Sequence, residues 1–152
     1  MGMDLHGRGS YHHFNMTSWR YVLGLAHSYG WQPAGTEPPS MTVYYVDGTV
    51  DERLTAQYAE LAEDWNRYDY FTNSFQQVTD EDAANLADAL ERALTDVPEE
   101  RTVAMRAASQ PPHRGVPLDV VEHLTPLDWF SGERERLEEF ISYCRAGGFR
   151  IS

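Results

Sequence analysis

Apolar residues recur at spacings of three and four over residues 17–29, where Trp19, Val22, Leu23, Ala26 and Tyr29 share one helical face. Tyr21 and Leu25 make the opposite side apolar too, and a helix that is apolar nearly all round belongs in a core. Ahead of it, residues 10–15 (Ser, Tyr, His, His, Phe, Asn) favour a strand, and Asn15 or Thr17 offers a side-chain oxygen to cap the first turn. Gly30 ends the helix in a left-handed turn, and Pro33, Gly35, Pro38 and Pro39 hold the chain in a loop. Residues 41–46 are β-branched and aromatic and run into Asp47 and Gly48, which predicts a hairpin closing on Thr49 and Val50.

Over residues 52–66, Leu54, Tyr58, Leu61, Ala62 and Trp65 fall on one face and Gln57, Glu60, Glu63 and Asp64 on the other, predicting a helix packed with its Trp inward. Residues 68–78 lack helical period and read as strand or ordered loop. Thr79 caps the clearest helix, with Asp80, Glu81 and Asp82 at the positive end of its dipole. Its stripe is Ala83, Leu86, Ala87, Leu90 and Leu94, and Pro98 marks its end. A short helix over 99–108, a Pro-rich loop over 110–117 and two helical turns through Leu118, Val121 and Leu124 follow. The last helix starts from a Ser131 cap, turns Leu137, Phe140, Ile141 and Cys144 inward, and stops at Gly147 and Gly148 before a strand at Phe149, Arg150 and Ile151. The strand before the first helix and this final strand are expected to be neighbours in one sheet. The predicted class is α+β: a mostly helical single domain over 1–152 with a small, mainly antiparallel sheet.

Charge adds a direction to this picture. The net charge is −12, every basic residue is Arg, and residues 51–100 hold fourteen acids against Arg53, Arg67 and Arg92. That balance repels a phosphate backbone, so nucleic acid is not an expected partner. The plainer account of the acids is two amphipathic helices with solvated faces. The functional account is a docking face for a basic protein partner, formed by Glu60, Glu63 and Asp64 of one helix and Asp88 and Glu91 of the next, as in small acidic inhibitors or immunity proteins. A lone Cys144, no apolar run near the N-terminus and no stretch of membrane-spanning length point to a cytoplasmic protein without a membrane partner.

Candidate chemistry is sparse. His12 and His13 are adjacent in a strand and point to opposite faces, and no pair of histidines has ligand spacing, so neither a metal site nor a cofactor is expected. Without Lys there is no phosphate-binding Gly-Lys-Ser or Gly-Lys-Thr, and Cys144 on an apolar helical face behaves as a small hydrophobe. Polar residues set among aromatics give the alternative function: a small-ligand or metal-binding domain, enzymatic or not, with a pocket near Asn15, Trp19 and Asn73.

Met3-Asp4-Leu5, Phe14-Asn15 with Trp19, Tyr29-Gly30-Trp31 with Pro33, Gly35 and Thr36, and Trp129-Phe130-Ser131-Gly132 with Phe149-Arg150-Ile151 together resemble a family of small bacterial proteins of unknown function. The resemblance covers most of the chain. It implies a bacterial, cytosolic protein and assigns no role to any residue.

Overall fold

A computed structural model describes residues 2–8, 10–39, 42–109 and 124–152. Alternation of Met3 and Leu5 with polar neighbours makes β1 (Gly2–His6) a half-buried strand, and it pairs antiparallel with β2 (Tyr11–Asn15) in the register Gly2 to Asn15 and His6 to Tyr11. Three further strands, β3 (Thr36–Glu37), β4 (Gln77–Val78) and β5 (Phe149–Ile151), complete an antiparallel sheet in the order β2-β1-β5-β4-β3. Met3, Leu5, Phe14, Val78, Phe149 and Ile151 are fully buried on one face of it.

That face is covered by α1 (Met16–Ser28), α3 (Asp80–Leu94) and α6 (Arg134–Arg145). Asn15 caps α1 by accepting from the Ser18 amide at 2.7 Å, and Thr79 caps α3. Phe14 and Phe140 meet edge to face at 4.9 Å between ring centres, with Trp19 and Phe149 closing the aromatic centre of the core. Such contacts add to the burial energy of each ring. Two short helices, α4 (Val103–Ala108) and α5 (Pro126–Phe130), adjoin the helical layer; Trp129 of α5 stacks on Tyr21 at 4.6 Å and donates to the Ser18 hydroxyl. The result is the α+β fold with a small antiparallel sheet that the periodicities predict.

Several elements differ from expectation. The first strand lies at Gly2–His6, and it, rather than β2, pairs with β5, Leu5 opposite Ile151. Ser131 does not cap the last helix: its hydroxyl donates to the Asp128 carbonyl and accepts from the Thr102 amide, tying α5 to α4, and α6 starts without a side-chain cap. The hairpin expected after residue 41 is present but short: one bridge, Tyr44 to Val50, flanked by backbone bonds from the Tyr45 amide to the Thr49 carbonyl and from the Asp51 amide to the Val43 carbonyl, both at 2.7 Å. The Val43 amide also donates to the Thr55 hydroxyl of α2 (Glu52–Glu63). This helix forms from its Asp51 cap but makes no extensive packing contact with another element among the described residues, and Tyr58 on its supposed inner face is 41% exposed. The expected loop over 110–117, the turns at Leu118 and Val121, and Met41 lie outside the described residues.

Candidate functional site

Two of the three pocket residues meet at one strand. Asn15 stands opposite Gly2 in the β1–β2 ladder, and Asn73 donates its amide N–H to the Gly2 carbonyl at 3.1 Å. Trp19 lies beneath them with no exposed surface, its indole N–H donated to the Tyr70 carbonyl at 2.7 Å. It is a satisfied core residue, while Asn15 and Asn73 are exposed and occupied in capping and in holding the 66–76 loop to β1.

A buried polar centre that the spacing of residues did not disclose joins Trp31, Tyr70 and Asp82. Asp82 is fully buried in the first turn of α3; its Oδ1 accepts from the Trp31 indole at 3.0 Å and the Ala34 amide at 3.2 Å, and its Oδ2 from the Tyr70 hydroxyl at 2.6 Å. Burial, and then the bond to Asp82, push the Tyr70 phenol far above its ordinary value. A carboxylate with this many donors and a helix N-terminus beside it is a structural post. On the open sheet face, Tyr11 and His13 both reach Oδ1 of Asp4, at 2.5 and 2.8 Å, and their hydrogen bonds hold the Asp4 carboxyl below the usual carboxylate range. The side chains of His13 and Asp4 in this cluster are about half exposed, at 50% and 44%. Among the described residues no group of three His, Cys, Asp or Glu side chains is placed to hold a metal ion. Burial raises the Cys144 thiol well above its ordinary range, which leaves it inert as a nucleophile.

The five acids separate into two sets. Arg145 of α6 binds Asp88 at 2.9 Å and also Glu91, so the α3 pair is engaged within the fold. Glu60, Glu63 and Asp64 are exposed on α2 and take part in no ion pair among the described residues. Beside them Tyr58, Ala62 and Trp65 of the α2 region, Pro38, Pro39 and Phe75 form an apolar groove of about 210 Å³. Phe75 is held at φ 59°, a left-handed conformation unfavourable for an aromatic residue, with its ring 52% exposed and Arg150 at 5.6 Å.

Models of known protein families, curated proteins and solved structures give no match to this chain. Its own surface is therefore the guide. Of the ten large apolar side chains that are exposed among the described residues, eight lie between Tyr44 and Phe75. The sequence pointed to the acids of α2 but turned Tyr58 inward. The available signal was the Pro38–Pro39 loop and the Tyr-rich segments on either side of α2, which leave that helix little apolar surface to pack on. Among the described residues no helix is long and apolar enough to cross a membrane.

Proposed function

We propose that the chain is a protein-interaction module whose contact surface is the excursion over residues 42–75, with a basic protein as partner. The carrying observation is the coincidence of two properties in one segment. The exposed apolar residues concentrate there, and the same segment holds seven carboxylates against Arg53 and Arg67. Clustered exposed apolar groups with a polar rim mark interaction surfaces, and Tyr is among the residues enriched in them. Tyr58 and Phe75 supply the apolar anchors at the groove, and Glu60, Glu63 and Asp64 supply a rim that steers a cationic partner. The strained backbone at Phe75 supports the same reading, because strain persists where a side chain is kept in place for use.

The test is affinity capture from the native lysate at low and high salt, with wild type, the reversal Glu60→Arg/Glu63→Arg/Asp64→Arg, and Tyr58→Ala/Phe75→Ala. A basic protein held by wild type at low salt, weakened by salt and lost from both variants, is the expected result. Captures identical across the three would overturn the proposal.

A further inference from the structure

A second concave site lies away from α2. Arg20, Leu23, Gly24 and His27 follow one another at helical spacing along one face of α1, and opposite them stand Trp31, Tyr70 and Phe71; between them is a cavity of about 280 Å³. Its inner wall is rigid. Trp31 and Tyr70 are 4% and 2% exposed, meet edge to face at 5.3 Å and are both bonded to Asp82, so the wall is set before any ligand arrives. Phe71 is 43% exposed at the rim.

Two features of the α1 face are not explained by the fold. Gly24 sits in the middle of a helix, where glycine lowers stability relative to alanine, yet a Cβ built there meets only Pro126 Cγ at an ordinary 3.8 Å. Nothing within the described protein requires the glycine, and the bare helix surface at this point leaves room for a flat group beside it. The other feature is Arg20. In a chain with twice as many acids as arginines, Arg8, Arg101, Arg134, Arg136 and Arg145 pair with carboxylates, whereas Arg20, like Arg53 on α2, has no ion pair, side-chain hydrogen bond or ring partner among the described residues, and of these two only Arg20 lines this cavity. A guanidinium lining an aromatic cavity, with no partner among the described residues, is a donor fork for a planar anion.

We propose that this cavity binds a small planar aromatic carboxylate, its ring over Gly24 against the Trp31–Tyr70 wall and its carboxylate on Arg20. The cavity volume lies near the lower end for ligand sites, which fits a ligand of one or two rings. One guanidinium in a protein of net charge −12 favours a monoanion over a phosphate dianion. The site stands independently of the partner surface on α2, and failure of one leaves the other in place.

The experiment is amide-resolved NMR titration of the full chain with benzoate, 4-hydroxyphenylacetate and indole-3-acetate, each beside its uncharged amide. Saturable shifts centred on residues 20–31 with at least one acid, and binding about tenfold weaker for the amide, are expected. Arg20→Gln should make acid and amide alike. Gly24→Leu, a good helix former, should weaken both while the unfolding midpoint is kept. Absence of saturation with all three acids, shifts centred elsewhere, or an acid preference that survives Arg20→Gln overturns the proposal.

Discussion

Tyr70 donates a hydrogen bond from its phenolic O–H to Asp82 across 2.6 Å with both side chains buried, and so fastens the 66–76 loop to the first turn of α3. The other carboxylate oxygen holds Trp31 and Ala34, so one residue of α3 fixes both segments that flank the aromatic cavity. Asp82→Ala leaves an indole N–H, a phenol and an amide without their acceptor. Loss of a charged acceptor of this kind is expected to cost about 3 kcal/mol or more in denaturant titration. A loss under about 0.5 kcal/mol would show that water replaces the carboxylate and that the post is dispensable.

Tyr143 is the opposite case. Its hydroxyl is enclosed without a hydrogen-bond partner among the described residues, and burial raises the phenol far above its ordinary 10. Tyr143→Phe removes an unsatisfied polar atom and is expected to stabilise the fold by roughly 1 kcal/mol. The sign of the pH effect is also fixed. A phenol raised in the folded state favours folding fully below the unfolded value and loses that contribution as pH rises through it and on towards the folded value. Above about pH 10 the wild type should therefore lose stability faster than Tyr143→Phe, and parallel alkaline limbs in thermal melts would contradict the assignment.

These two tyrosines also mark what the sequence discloses and what it does not. Helices α1 and α3 are legible because their apolar residues keep a 3.6 period and Asn15 and Thr79 occupy cap positions, all of it local information. Strand β1 is hidden because Gly2–His6 offers only Met3 and Leu5 as inward positions, too short an alternation to stand out. Helix α2 has a clear stripe, but a stripe states only that one face is apolar and not that a core is present to meet it. The acids of α2 and α3 look equivalent in sequence, and their difference comes from Arg145, more than fifty positions distant in the chain. Likewise Asp82 reads as a dipole-compensating acid in the first turn, since its partners Trp31 and Tyr70 arrive by tertiary packing.

His12 lies among Phe14, Phe140 and Tyr143, with ring centres at 4.8, 5.4 and 5.5 Å. Burial, and next the charge of Arg136, hold its imidazole below the ordinary 6.5. The unfolded chain then takes up this proton first as pH falls through 6.5, so stability declines below that point until the folded His12 also protonates. His12→Phe keeps a ring in place and removes the titration. The drop in melting temperature from about pH 7 to about pH 5 should be smaller for the variant than for wild type, and an equal drop would mean that His12 is no source of acid sensitivity.

The division of the acids gives the prediction that bears most directly on function. Asp88→Arg/Glu91→Arg sets two cations against Arg145, which now binds both carboxylates, and so should lower stability; each pair is exposed, which limits its worth to a few tenths of a kcal/mol. Partner capture should be unchanged, because those carboxylates already serve the fold. Glu60→Arg/Glu63→Arg/Asp64→Arg should do the reverse: stability within about 0.5 kcal/mol of wild type, since the three side chains are exposed and hold no ion pair among the described residues, and loss of salt-sensitive capture. Melting curves and capture at two salt concentrations, run on both variants, separate the two sets. If the α3 reversal removed the partner and the α2 reversal did not, the docking surface would have to be moved off the excursion and onto the helical layer, and the exposed tyrosines around α2 would need another explanation.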